Sequence, residues 1–208
     1  MTSGLVNAQD NILRDPVTNR VFNPVKYSEV NGSPFLFDKW IKGAATISKG
    51  TYNELELKLD SYSNTLLFKK EDDSYEFQDD VASFVLKPIA SDSASYMYFK
   101  KGYSGPGLNP KQYVQVLVDG KVNLCKSVAK SLAEVSQINK GIVQSFTKTD
   151  RYYIIKNNTA RLIKLNKNEV LNVLSEKQEQ IDAFIRAEKL SLKRESDLIK
   201  VIHYYNSI

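Results

Sequence analysis

The amino-acid sequence predicts an α+β fold: a mainly antiparallel β-sheet body, in one or two packed units, followed by a short helical segment at the C-terminus. Two observations support this prediction. Between Gly43 and Leu86, apolar and polar residues alternate with a period of two, which is typical of strands with one buried face. After Asn166 the apolar residues recur every three or four positions, which indicates amphipathic helices.

Composition places the chain among ordinary globular proteins. It has 208 residues, of which 42% are hydrophobic and 11% aromatic, enough for one large or two small domains. No apolar run approaches the roughly 20 residues that a membrane-spanning helix needs. We therefore expect a soluble or peripherally attached protein. The predicted organisation is a leader or arm (1–22), a first β-rich unit (23–90), a second, basic β-rich unit (91–165) and a helical tail (166–208).

The N-terminal segment has two interpretations. Asn7-Ala8-Gln9 is a small-residue context in which a signal peptidase could cut, but the residues before it are few and lack a basic region. The segment is therefore either the remnant of a signal peptide or a disordered leader. Prolines between residues 10 and 34 predict an irregular arm that lies over the sheet. Its apolar anchors would be Phe22, Tyr27, Phe35, Phe37 and Trp40.

The first β-rich unit is predicted from a strand in which alternate leucines face the core. Leu55, Leu57 and Leu59 point to one side, while Glu54, Glu56, Lys58 and Asp60 point to solvent. Residues 65–69 and 81–86 are predicted as neighbouring strands joined through the acidic turn 71–74. Residues 90–95 are rich in Ser, Ala and Asp, and we expect a linker or long turn there.

The second unit begins with a strand at 96–100 and a Gly- and Pro-rich loop at 101–110. Asp119-Gly120 predicts a hairpin with a type I′ turn, because these residues tolerate positive φ angles. Residues 126–138 are predicted as a short helix or a loop that covers the sheet. Asn157-Asn158 predicts the turn of a second hairpin.

The helical tail contains three apolar stripes, near residues 170–174, 181–185 and 198–205. Ser191 and Ser196 are candidate N-caps for the last helix. The polar faces carry balanced charge, so we expect a helical lid packed on the sheet or a small appended bundle. The alternative is a docking surface for a partner.

Several motifs together resemble a group of uncharacterised exported proteins of Gram-negative bacteria. The resemblance covers most of the chain from about Val21 onward, and it implies export, a β-rich body and a helical tail. It implies no activity and no catalytic or binding residue. The motifs are the Tyr62–Phe68 segment after the Leu-x-Leu-x-Leu strand, the hairpin Val116-Leu117-Val118-Asp119-Gly120-Lys121, the strand Tyr152-Tyr153-Ile154-Ile155-Lys156, and the ending Asp197-Leu198-Ile199-Lys200 with Tyr204-Tyr205-Asn206-Ser207.

Catalytic and metal-binding motifs do not emerge from the sequence. The loop from Gly102 to Gly107 has the glycine spacing of a phosphate-binding loop, but Leu108-Asn109 stand where Lys and Ser/Thr are needed. The acidic cluster between Glu71 and Asp80 lacks the glycine and closing glutamate of a calcium loop. His203 is the only histidine and Cys125 the only cysteine; we expect a helix-surface residue and a core residue, respectively. We therefore predict a protein that is not an enzyme, with no catalytic residue, no metal and no cofactor.

Charge is distributed unevenly along the chain. Residues 1–92 have a net charge of −4, residues 93–166 of +9 and residues 167–208 of 0. The basic middle third, interleaved with tyrosines, could meet an anionic polymer or a membrane surface. Lysines outnumber arginines, which favours diffuse attraction over base-specific contacts, so nucleic acid is not the expected partner. The candidate ligand-binding residues are Lys121, Lys126, Lys148, Arg151, Lys156, Arg161 and Lys164.

Three functional hypotheses follow. The favoured one is a non-enzymatic, exported protein of the periplasm or envelope that binds another envelope protein, or assembles a surface structure, through its sheet edge and helical tail. The alternative is a module that binds an anionic polysaccharide, lipid headgroup or nucleic acid through residues 93–166. The third is an enzyme with carboxylate chemistry around residues 71–80, which would require a cleft with two facing carboxylates.

Overall fold

The computed structural model of the chain describes residues 20–22, 27–137 and 141–208. The described residues confirm a sheet-dominated α+β fold with helices after residue 166; most of the predicted leader lies outside them. All strand pairs are antiparallel. The strands are β1 (Arg20–Val21), β2 (Ile41–Ile47), β3 (Gly50–Asp60), β4 (Thr65–Lys70), β5 (Asp73–Glu76), β6 (Ser83–Leu86), β7 (Met97–Lys100), β8 (Val114–Val118), β9 (Asn123–Gln137), β10 (Gly141–Lys156) and β11 (Thr159–Ile163).

One continuous sheet contains the eleven strands of the described residues, in the order β1-β5-β4-β3-β2-β6-β7-β8-β9-β10-β11. The acidic turn at 71–74 joins β4 to β5. The prediction that it leads to the 81–86 segment is therefore wrong. That segment contains β6, which pairs with the edge of β2 that faces away from β3. The predicted boundary at 90–95 is a connection with a short 3₁₀ turn, and β6 pairs with β7 across it.

The first half of the sheet curls back toward β9 and β10. Lys130 N–H on β9 donates to the carbonyl of Ser61, just after β3, at 3.0 Å. Asn31, in the segment before β2, bridges to Ser145 on β10. The concave side of this curl is filled by one apolar cluster from β2, β3, β4, β6 and β7, with Leu57 and Phe84 among its fully buried members.

β9 and β10 form the longest hairpin of the protein, which the sequence analysis did not predict. Its register runs from Gln137 opposite Gly141 to Asn123 opposite Ile155. The prediction of a helix or loop at 126–138 is therefore wrong. Val128, Leu132 and Val135 recur at helical spacing, but Ser and Ala alternate with longer side chains from 127 to 134, and the pairing with β10 makes this segment a strand.

The two predicted hairpin turns have different outcomes. Asn157 and Asn158 both have positive φ, 51° and 61°, as a two-residue type I′ turn requires, so that prediction is confirmed. The type I′ prediction at Asp119-Gly120 is wrong, because Gly120 has no positive φ and β8 and β9 are joined by a longer loop. A Cβ on Gly120 would lie 2.4 Å from Asn206 Nδ2, so this glycine makes room for the C-terminal helix.

The helical tail packs on the sheet as a lid. Its helices are α1 (Lys167–Val173), α2 (Gln178–Ala187) and α3 (Glu195–Ser207), and their apolar faces share one buried cluster with Leu124 and Ile154 of the hairpin. The predicted serine caps are wrong, because α3 begins after Arg194 with no side-chain cap. Buried Asp197 instead accepts hydrogen bonds from Ser191 N–H and Arg194 Nε, and these bonds lower the pKa of its carboxyl.

Candidate functional site

The predicted basic residues do not form one surface. The strand register places four of them on the helix-bearing face of the sheet: Lys126, Lys148, Lys156 and Arg161. It places Arg151 on the opposite face. Lys121 Nζ donates to the backbone carbonyl of Ile208 at 2.8 Å, and Lys164 is exposed at the end of β11. Of the predicted residues, only Lys156 and Arg161 line the same described cleft.

Most of the lysines on the helix-bearing face are paired within the chain. Lys126 Nζ lies 2.8 Å from Glu195 and 3.3 Å from Asp150, and Tyr152 donates its hydroxyl proton to the same Glu195 at 2.7 Å. Burial alone would lower the pKa of Lys126, but Glu195 reverses that direction and raises it. Lys148 pairs with Asp150. This network ties α3 to the hairpin and occupies cations that an external anion would need.

The outer part of the β9–β10 hairpin extends beyond the rest of the sheet. β8 pairs with β9 only as far as Lys126, and β11 pairs with β10 only as far as Tyr152. We name residues 132–137 and 141–144 the distal arm. Five residue steps at 3.4 Å make it about 17 Å long. Three exposed aliphatic side chains lie on it: Leu132, Val135 and Ile142, the last with 73% of its surface exposed.

The base of the distal arm is held by aromatic side chains from the first half of the protein. Phe146 makes edge contacts with Tyr27 and Tyr62, with ring centroids 5.5 Å and 5.4 Å apart. Asn31 exchanges backbone hydrogen bonds with Gln144 and Phe146 at 2.9 Å each. Among the described residues, the outward-facing backbone groups beyond these contacts bond to no other segment of the chain.

A cleft of about 350 Å³ opens between the β10–β11 turn and the junction of α1 and α2. Its floor is apolar and includes the buried side chains of Ile154 and Leu174. Lys156 and Arg161 stand on its rim, and Lys156 is paired with Glu176 at 2.6 Å. This is the only place where predicted ligand-binding residues line a concavity within the described pockets.

The other motifs singled out in the sequence have structural roles. The glycine-rich loop lies against the edge of β11, where Ala160 N–H donates to Ser104 at 2.8 Å. A Cβ on Gly105 would lie 2.1 Å from the Ala160 carbonyl oxygen, so this glycine permits close backbone approach. Cys125 is fully buried, and burial raises the pKa of its thiol to about 12, so it is not a reactive thiolate. His203 is exposed on α3.

The acidic segment is a solvated turn followed by a short strand. Asp79 pairs with Lys49 at 2.9 Å, and Asp80 pairs with Lys101. Across the part of the chain that the structure describes, no group of three or more His, Cys, Asp or Glu side chains is placed to hold a metal ion. No pocket described in the protein is lined by two carboxylates of residues 71–80.

Comparison with known proteins adds no assignment. No protein-family model, curated protein or solved structure matches the chain. None of the helices in the described ranges combines the length and the apolar character needed to cross a membrane.

Sequence reasoning missed the distal arm, although a signal for it was present. From Ser127 to Glu134, Ser and Ala at odd positions alternate with longer residues at even positions, and Ser145 to Thr149 repeats this order with Ser and Thr at the odd positions. This alternation is polar on both faces, so it lacks the apolar contrast that marks a half-buried strand. The shared alternation of the two segments indicates that they pair with each other as one ribbon.

Proposed function

We propose that this protein is a non-enzymatic, envelope-associated interaction module, and that its distal arm binds an extended segment of another envelope protein. The single observation that carries the proposal is the distal arm itself, a ribbon with open backbone edges and exposed aliphatic side chains. An unpaired strand edge presents N–H and C=O groups at the spacing that another strand needs. A partner strand with alternating apolar residues, added at the outer edge of β10, would place one of them beside Ile142 while completing those hydrogen bonds.

The helical tail is not the proposed contact surface. Its apolar residues are used in the cluster shared with the sheet, with Leu198, Val201 and Ile202 fully buried. A helix whose apolar face is already buried offers a partner only its polar side. This supports the interpretation of the tail as a lid, and it leaves the sheet edge as the element for assembly.

Binding of an anionic polymer through residues 93–166 stays a second prediction. The ion pairs of Lys126, Lys148 and Lys156 reduce the charge available to such a ligand, and Arg151 points away from them. Exposed ion pairs and scattered lysines give diffuse, salt-sensitive attraction, not a defined site. The geometry therefore favours the protein contact.

The proposed address is the periplasm or envelope, as the resemblance to exported Gram-negative proteins implies. We expect the native protein in the periplasmic fraction, and sequencing of its N-terminus should reveal a processed end. Recovery in the cytoplasmic fraction with an unprocessed N-terminus would contradict this address. Periplasmic and cytoplasmic marker proteins control for leakage between fractions.

Photo-cross-linking tests the distal arm. A photoreactive residue replacing Ile142 should give a discrete adduct in intact cells, because a partner strand would lie within reach of that side chain. The matched control is Leu162, an aliphatic residue of β11 with 43% exposure that lies outside the distal arm.

Three outcomes of this experiment are informative. An adduct from position 142 that is absent from position 162 and contains a second protein supports the proposal. An adduct of two copies of this 23.6 kDa chain would replace the envelope partner by self-assembly and so overturn it. Equal adducts from both positions, or none from position 142, would also overturn it.

A further inference from the structure

The cleft beside the β10–β11 turn combines a cationic rim with an apolar floor. Ile154 and Leu174 are almost fully buried at its base, and the ring of Tyr205 contributes to the wall. Arg161 stands at the rim on β11, directly opposite Ile154 in the strand register. We propose that this cleft binds a small organic carboxylate with an apolar body, a site that goes beyond the protein contact of the distal arm.

The charge of the rim specifies a monoanion. Glu176 accepts a hydrogen bond from Lys156 at 2.6 Å and another from the Tyr205 hydroxyl at 3.3 Å, so one cation is already neutralised. Arg161 has no ion pair with any described residue. Two cations and one carboxylate leave a net charge of +1. A ligand with one carboxylate balances that charge, whereas a polyanion would meet Glu176.

The guanidinium of Arg161 selects the headgroup. Its N–H groups form a planar fork that matches the two oxygens of a carboxylate, which a lysine ammonium cannot do. Because Arg161 is exposed, its guanidinium stays hydrated in the protein without ligand. Asn172 and Ser175 also line the cleft and add an amide and a hydroxyl to the polar groups near the headgroup.

The volume selects the body. About 350 Å³ lies at the lower end of the range of small-molecule pockets, which is about 300–1,000 Å³. A single aromatic ring with a short side chain fits this space, and the partly exposed side chain of Val173 would contact it. Burial of that ring supplies apolar free energy that a bare carboxylate such as acetate cannot gain.

The walls of the cleft are held in place before any ligand binds. The antiparallel pairing of β10 with β11, from Tyr152 opposite Ile163 to Lys156 opposite Thr159, fixes one wall. Lys177 Nζ donates to the Ile208 carbonyl and ties the junction of α1 and α2 to the chain end. Preformed walls reduce the ordering cost of binding.

Calorimetric titration of the full chain with phenylacetate tests the site. Acetate lacks the apolar body and phenylacetamide lacks the charge. The affinity of each should therefore be lower than that of phenylacetate by about tenfold or more. In the Arg161→Gln variant, phenylacetate affinity should fall by about tenfold or more, because a charge-assisted bidentate contact is lost. Lys193→Gln, on an exposed lysine that does not line the cleft, should leave the affinity unchanged.

A second variant moves the affinity in the opposite direction. Glu176→Gln removes the carboxylate that holds Lys156, so both rim cations become available and phenylacetate should bind more tightly. A purely structural role of Glu176 would instead weaken binding. Equal affinities for phenylacetate and phenylacetamide, equal affinities of the Arg161→Gln and Lys193→Gln variants, or weaker binding by Glu176→Gln would each overturn the proposal. Circular dichroism establishes that each variant is folded.

Discussion

Replacement of Asp60 by alanine should lower the free energy of unfolding by about 3 kcal/mol, since three hydrogen-bond donors would lose the buried carboxylate that they share. Asp60 has no exposed surface at the end of β3. Its carboxylate accepts hydrogen bonds from the Tyr27 hydroxyl at 2.5 Å and from the backbone N–H groups of Tyr62 and Ser63 at 3.0 Å and 2.9 Å. Alanine would remove the acceptor that these three donors share at the end of β3.

Urea unfolding, followed by the fluorescence of the single tryptophan, Trp40, measures this loss. Asp72→Ala is the matched control, because Asp72 is an exposed aspartate of the β4–β5 turn and its removal should change stability by less than about 0.5 kcal/mol. Equal unfolding midpoints for the two variants would contradict the structural role of Asp60. The Asp60→Ala variant should also loosen Tyr27, which packs against Phe146 at the base of the distal arm.

Gly43→Ala should destabilise the protein by about 3 kcal/mol or more, because an added methyl has no room in the centre of the sheet. Gly43 lies on β2, which is paired with β3 on one side and β6 on the other. A Cβ there would lie 2.1 Å from the carbonyl oxygen of Val85 and 2.9 Å from Leu57 Cδ1. The carbonyl belongs to paired backbone, so relief of the clash would shift β2 away from β6.

The control for this prediction is the neighbouring residue on the same strand. Lys42 is exposed, and Lys42→Ala should change the free energy of unfolding by about 0.5 kcal/mol or less. The same urea titration compares both variants with the parent chain. A Gly43→Ala protein as stable as Lys42→Ala would show that β2 and β6 do not approach as closely as the structure describes.

Local patterns in the sequence were sufficient for much of the fold. The alternation of Leu55, Leu57 and Leu59 correctly predicted a strand with one buried face, because side chains on a strand point to opposite sides in turn. Asn157-Asn158 correctly predicted the turn of a hairpin, since these residues adopt positive φ with little strain. The change to helical spacing after Asn166 correctly predicted the helices of the tail.

Features that depend on distant residues were not predictable from those patterns. Alternation placed Asp60 on the solvent side of β3, but the curl of the sheet and the segment before β2 bury it. Gly120 looked like a turn residue, yet the space it leaves is required by Asn206, which lies 86 positions later. The basic residues formed one cluster in the sequence, while strand register and ion pairs divided them between faces.

The sequence by itself determined the fold class, the strand-to-helix order and the absence of familiar catalytic motifs, because these depend on the chemistry of neighbouring residues. Only the tertiary structure decided that a two-stranded ribbon extends beyond the sheet and that Arg161 faces an apolar cleft. Both features arise where segments far apart in the chain meet. Hydrogen bonding and burial between such segments are set by the whole fold, which a local pattern of polar and apolar residues does not encode.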